Sequence, residues 1–230
     1  MRYLIIFSFF FSFLTGCQNG ESGRSRRHKP VAVFHDYQVS AEEGRADATI
    51  RLQYKAGDEN GEAFALEKPS RVLFDGVELP ADSSRLSGPY YELIKPVGSL
   101  RGHHIILFVD AKGGKHQVEF SFMPFSLATE LPEKLGNKPF VLHLDDLPTD
   151  PTVLRVVMTD TSLHSAGVNE DVEVKNGDLH VDEGLLKNLS AGPVTMEISR
   201  EELRPLENLS GQTGRLLLTY TIRRQFELAR

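Results

Sequence analysis

HHIILFVDAKGGKHQVEFSF, residues His103 to Phe122, decides the fold class. Two apolar-rich runs flank a glycine pair, and polar residues interleave the second of them. With Gly113-Gly114 as a two-residue turn, Val109 faces Val118, Leu107 faces Phe120 and Ile105 faces Phe122. A turn of that length sets every pairing in the hairpin, because a slip of one residue exchanges the two faces. The stretch therefore predicts a hairpin with one apolar face.

The same test works at two other turns. Around Asp75-Gly76, Phe74 faces Val77 and Val72 faces Leu79. Around Asn176-Gly177, Val174 faces Leu179, Val172 faces Val181, Lys175 faces Asp178 and Glu173 faces His180. Ile50, Leu52 and Tyr54 alternate with Thr49, Arg51, Gln53 and Lys55, the period of a half-buried strand. Further strands are predicted near Val31–Val39, Tyr90–Ile94, Phe140–Leu144, Val153–Met158, Val194–Ile198 and Leu216–Ile222. No long apolar repeat of period 3.6 competes, so the chain is read as all-β, in β-sandwiches.

The alternation stops between Phe125 and Pro139, where Pro124, Pro132, Gly136 and Pro139 punctuate the chain. The expected organisation is one sandwich over residues 31–125, a linker over 126–138 and a second sandwich over 139–230. A short repeat supports two like units. Leu100-Arg101-Gly102 precedes Ile105, Leu107 and Val109, and Leu189-Ser190-Ala191-Gly192 precedes Val194, Met196 and Ile198. In this the chain resembles immunoglobulin-like and fibronectin-III-like domains, in which a leucine and a glycine introduce the penultimate strand. The resemblance implies two tandem sandwiches and carries no activity with it.

The N-terminus reads differently. Arg2 precedes an apolar run from Leu4 to Leu14 interrupted only by Ser8 and Ser12, too short to span a bilayer and in the order of an export signal. Leu14-Thr15-Gly16-Cys17 resembles the lipobox of bacterial lipoproteins: aliphatic, small, glycine, cysteine. The resemblance implies removal of residues 1–16, diacylglycerol on the Cys17 sulfur, and a membrane anchor. Two or three acyl chains hold firmly where one is marginal, since each buried CH2 contributes ~0.8 kcal/mol. Gln18 in place of the inner-membrane retention signal Asp points to the outer membrane. Cys17 is the chain's single cysteine, so the mature fold is expected to have no thiol, disulfide or cysteine metal site. Residues 17–30 read as a lipidated cysteine and a polar, flexible tether carrying Arg24, Arg26, Arg27 and Lys29.

Loss of Arg2 with the leader takes the formal charge from −6 to −7, which argues against a nucleic-acid partner. Candidate ligand contacts are few. Tyr90 and Tyr91 offer an aromatic face for a sugar, although one of two successive strand tyrosines faces the core. Asp145 and Asp146, with Asp150 and Asp160 further along, offer carboxylates to calcium, but outside any D-x-D-x-D-G pattern and among prolines that favour a solvated loop. His103, His104 and His116 are read as surface residues. In the register above, His116 lies opposite Ala111 and His104 opposite Met123, about 20 Å apart along the strands. No cofactor or metal is expected. No G-x-S-x-G, H-E-x-x-H, S-x-x-K or phosphate-binding loop occurs. The expectation is a lipid-anchored cell-envelope protein that binds or scaffolds an envelope protein or glycan without catalysis. The alternatives are a carbohydrate-binding accessory or hydrolase, and a structural subunit of an envelope complex.

Overall fold

The computed structural model describes residues 32–209 and 212–229. The leader, the lipobox and the whole of the tether lie outside them. In chain order the elements are β1 (Val33–Glu42), β2 (Asp47–Ala56), β3 (Arg71–Phe74), β4 (Val77–Glu78), β5 (Ala81–Ser84), β6 (Gly88–Pro96), β7 (Gly102–Val109) and β8 (Lys115–Phe122). There follow β9 (Ser126–Leu127), β10 (Lys134–Gly136), β11 (Phe140–Asp145), β12 (Thr152–Asp160), β13 (Val168–Val174), β14 (Asp178–Val181), a single helical turn α1 (Glu183–Leu186), β15 (Gly192–Leu209) and β16 (Gln212–Ala229). The segment 126–138, expected as a linker, contains β9 and β10.

The chain is all-β. Its strands form a nine-stranded sheet in the order β13-β12-β15-β16-β1-β2-β6-β5, with β10 also on β16, a four-stranded sheet β4-β3-β7-β8 and a three-stranded sheet β14-β11-β9. In the first sandwich β1-β2-β6-β5 face β4-β3-β7-β8, the two-sheet division of an immunoglobulin-like domain. Phe108 on β7 packs against Tyr54 on β2 and His35 on β1, with centroids 5.2 Å apart in both cases. In the second, β14-β11-β9 face β13-β12-β15-β16, and Phe140 meets Phe226 at 6.4 Å. The two sandwiches share one sheet.

What joins them is the last hairpin, two strands of 18 residues each. On β16, Leu216, Leu218, Tyr220, Ile222, Phe226 and Leu228 recur at period two and are buried. That one apolar face serves two cores in succession. The half of β16 from Thr213 to Thr221 runs parallel to β1, paired from Phe34 to Glu42. The end of β16 runs parallel to β10. Phe122 and Phe125 close on Tyr220 where one core gives way to the other. The run near Leu216–Ile222 marks only the middle of this strand. Arg224 breaks the apolar pattern at the junction, where it pairs with Glu43 of the β1–β2 turn.

The three hairpins fare differently. Asp75 and Gly76 take positive φ values of 49° and 82°, and Phe74 pairs with Val77 while Leu79 N–H donates to Val72 O, as expected. Asn176 and Gly177 also form the expected turn, with Lys175 bridged to Asp178. Beyond it the strands part, because this turn crosses between sheets. β13 pairs with β12 and β14 with β11. Val172 therefore lies opposite Leu154, Val181 opposite Phe140, Glu173 opposite Val153 and His180 opposite Val141. The expected Glu173–His180 pair does not form.

The opening hairpin needs a correction of register. Its loop is Ala111–Gly113, closed by Asp110 N–H donating to Gly114 O at 2.9 Å. The Asp110 carboxylate accepts from Lys112 N–H at 2.7 Å and Gly114 N–H at 2.9 Å, and Gly113 sits at φ 83°. The aspartate, not the glycine pair, sets the turn. Ile106 pairs with Val118, Phe108 with His116 and His104 with Phe120. The shift is odd, so it exchanges the faces. His104, Ile106 and Phe108 are buried, whereas Ile105 and Leu107 lie on the half-exposed side.

Gly214 allows β16 to approach β1. A Cβ there would stand 2.4 Å from His35 O and 2.7 Å from His35 Cβ. Backbone on both sides must move to admit it. Gly214→Ala is expected to lower stability by about 1–3 kcal/mol, as overpacking does. Hydrogen exchange should quicken at Phe34–Asp36 before the second sandwich responds. Denaturant unfolding with amide-resolved exchange measures both.

Candidate functional site

The two expected tyrosines divide between the faces of β6. Tyr91 is buried, packs edge-on against Tyr54, and its hydroxyl accepts Leu66 N–H at 2.8 Å. Burial raises its pKa against that hydrogen bond. Tyr90 faces outward with the Arg51 guanidinium 3.9 Å from its ring centre. Its hydroxyl donates to Asp82 at 3.2 Å. Asp145 lies 3.7 Å from His143, and Asp146, at φ 63°, accepts from Arg101 of the first sandwich at 2.9 Å. The tyrosines and the aspartates stand on different sheets and form no common site. The other acidic side chains fasten turns: Asp150 accepts from Asn176 N–H, and Asp160 from Ser162 and Ser190 N–H. Among the described residues no three His, Cys, Asp or Glu converge as metal ligands.

The histidines are placed by the corrected register. His103 is exposed and lies 3.3 Å from Glu119. His116 stacks on Phe108 and reaches Asp110 at 3.0 Å. His104, expected at the surface, is buried. Its Nδ1 stands 2.8 Å from Asp75 Oδ2 and its Nε2 2.7 Å from Leu100 O. The ring thus lies between two hydrogen-bond acceptors. Asp75 also accepts Ile105 N–H at 3.0 Å and Lys95 Nζ at 3.2 Å. Burial raises its carboxyl pKa, but these hydrogen bonds outweigh it and hold the group below the ordinary aspartate value.

A buried polar chain absent from the expectations ties the hairpin tip to the first core. His35 is fully buried. Its Nε2 donates to Gln212 Oε1, and its Nδ1 accepts from the Tyr37 hydroxyl at 2.8 Å. Tyr37 accepts in turn from Tyr54 at 3.3 Å. Each partner is served by a neutral ring. Burial pushes the His35 pKa down to about 4; the Gln212 hydrogen bond opposes this and the His116 ring adds to it. Period two places His35 beside Tyr37 and Val39 on the inner face, which is the sequence signal for its burial. On the outer face of the same strand Asp36 is enclosed by Lys55 at 2.7 Å and Arg215 at 2.9 and 3.2 Å. Its burial raises the carboxyl pKa, and the Arg215 and Lys55 hydrogen bonds lower it further than burial raises it.

Midway along the shared sheet the outer face forms an open groove of about 530 Å3. Thr219, Ser40 and Thr49 form one cross-strand row over β16, β1 and β2, and Thr221 lies beside Glu42 in the next. Asp47 and Arg45 close the end beside the β1–β2 turn. Arg45 lies 3.8 Å from Glu42, which also pairs with Arg223 at 3.4 Å. Four hydroxyls, two carboxylates and a cation make a surface able both to donate and to accept hydrogen bonds. The groove exists because a strand of the last hairpin is laid beside the first strand of the chain. No local sequence pattern could have marked it.

No protein-family model matches the chain, and no curated protein does. Solved structures found by shape include Dpr11 IG1 bound to DIP-gamma IG+IG2, at 10% identity and a TM-score of 0.23, covering 80% of this chain and 96% of that one. They also include DIP-gamma IG1+IG2, at 10% identity and 0.24, covering 83% and 97%. A third is the Yersinia pseudotuberculosis adhesin InvE, at 14% and 0.22, covering 81% and 58%. Likenesses this weak carry no inference about what the chain binds. The immunoglobulin-like description rests on the strand order above.

His35 sets a pH dependence. Its folded pKa is depressed from 6.5 to about 4, so below pH 6.5 the unfolded chain takes up a proton that the folded chain refuses. Stability is expected to fall by up to about 3 kcal/mol as the pH drops from 6.5 to 4, and to level off in this term below that. Asp36 and Asp75, with depressed carboxyls, act only at lower pH. His143, raised by its hydrogen bond to Asp178, acts above pH 6.5. Urea midpoints at half-unit pH steps should show the slope, and His35→Gln should flatten it.

Proposed function

We propose that this chain is a lipid-anchored cell-envelope protein, held by acyl chains on Cys17, that binds or scaffolds an envelope partner without catalysis. The observation that carries the reading is the shared sheet. It makes two sandwiches into one stiff body with a polar groove on its outer face, and a stiff, preorganised surface loses little freedom on binding. Leu14-Thr15-Gly16-Cys17 supplies the anchor, Gln18 the outer-membrane address, and an envelope protein or glycan is the partner.

Two measurements test this. Cys17→Ala is expected to abolish acyl-label incorporation and to release the protein from membranes; label that persists overturns the anchor. The acylated protein, crosslinked in native envelopes, is expected to retain a stoichiometric partner that Thr219→Arg, a bulky charge in the groove, displaces at least tenfold. Turnover of any substrate in a panel of esters, peptides and glycosides would overturn the non-catalytic reading.

A further inference from the structure

We propose that the end of the first sandwich bearing the tip of the last hairpin is the end tethered nearest the lipid surface, and that the loops at the far end of the second sandwich have the longer reach away from it. The inference rests on the anchor reading above and adds the direction in which the body points.

The starting point is where β1 begins. Val33 pairs with Ala56, and Gly57 N–H donates to Ala32 O at 3.1 Å, so the chain enters the fold beside the β2–β3 loop. Phe34 pairs with Thr213, which puts the entry beside the hairpin tip. The Ala111–Gly113 loop lies at the same end, because His116, just beyond it, stacks on Phe108, which packs against His35, the partner of Gly214. Residues 17–30 span at most about 50 Å when fully extended. Acyl chains on Cys17 therefore confine this end to within that distance of the lipid.

The opposite end is fixed by the same sheet. β16 runs 18 residues from the tip, about 60 Å at the rise of a strand. Its far end pairs with Gly192 at the start of β15, and Asp160 at the end of β12 pairs with Val194. The loop 161–167 continues from there, with Leu163 98% exposed and Ser165 Oγ donating to Asn188 O at 2.8 Å. Nine paired residues of β1 and β16, together with the His35–Gln212 and Asp36–Arg215 bonds, oppose hinging between the sandwiches. The distal loops cannot fold back toward the entry point without breaking that ladder.

The single native cysteine makes the test direct, since acylation leaves no free thiol. Ala111→Cys and Leu163→Cys, both at exposed loop positions, are made in the full-length acylated protein and labelled with a donor fluorophore. The proteins are reconstituted in phosphatidylethanolamine–phosphatidylglycerol vesicles carrying a headgroup acceptor. Energy transfer from position 111 is expected to exceed that from position 163 at least threefold. Equal or reversed transfer, with acylation verified by mass, overturns the orientation alone. An unacylated, dye-reactive Cys17 overturns the anchor reading, and the orientation with it.

Discussion

The structure depends on the parallel pairing of β1 with the first half of β16. Parallel strands need a long crossover, and here the crossover is nearly the whole chain. Without this pairing β1 would be the edge of its sheet, with a row of unpaired backbone groups open to any other strand. With it, the edge moves out to β15, which beyond Ser199 has only β16 beside it. That new edge is blunted. Glu201, Glu202 and Arg204 charge it, and Pro205 removes an N–H where β15 has no second neighbour, the place at which a sheet tolerates proline. One hairpin thus closes the first sandwich, completes the second and protects the edge it creates.

Polar groups hold the ladder where apolar packing would not fix its position. The outer side of β1 presents Asp36 to Arg215 and Lys55, and the inner side presents His35 to Gln212. Both bonds reach across to the hairpin and join residues about 180 positions apart. An apolar face alone tolerates a slip of two residues, because the same pattern returns. A buried charge that loses its partner, or a buried imidazole that loses its acceptor, does not. Arg200 shows the cost of such placement. It lies on the inner face where one core ends, shares Glu202 with Arg204, and is buried with Nη1 lacking a hydrogen-bond partner among the described residues. Burial lowers its pKa accordingly.

The sequence speaks clearly about strands and poorly about which strands meet. Alternation in Ile50-Arg51-Leu52-Gln53-Tyr54 and in Leu216 to Ile222 is visible without a structure, and it identifies the fold class. Asp75-Gly76 gives its own register, because both turn residues and both flanking pairs agree. At Asn176-Gly177 the turn is legible but the parting of its strands is not, since a hairpin and a crossing between sheets begin with the same residues. His103–Phe122 is the instructive failure. Gly113-Gly114 suggests the turn, whereas Asp110, an ordinary Asx-turn residue, makes it. The repeat contained the right face. Aligned on Gly102 and Gly192, at φ 120° and 123°, the buried residues two, four and six places on are His104, Ile106 and Phe108 in one unit and Val194, Met196 and Ile198 in the other. Leu100 and Leu189, ahead of each glycine, are both fully packed.

The candidate site was less legible because it belongs to no local segment. Its hydroxyls come from three strands, and β16 joins the other two only after the chain has built both sandwiches. Tyr90 and Tyr91 attracted notice as aromatic neighbours, but the period of a strand sends one inward, and Arg51 covers a face of the other. Asp145 and Asp146 attracted notice as charge, but at the meeting of two sandwiches a carboxylate serves as well to bridge to Arg101 as to bind a ligand. The groove lies where the two cores change over, the place where the inner face carries Arg200 and Arg224 and the outer face carries threonines. Charges there hold the hairpin in position, and the hydroxyls line the groove beside them. A surface built in that way is positioned by the whole fold, so its shape should persist only while the β1–β16 ladder does.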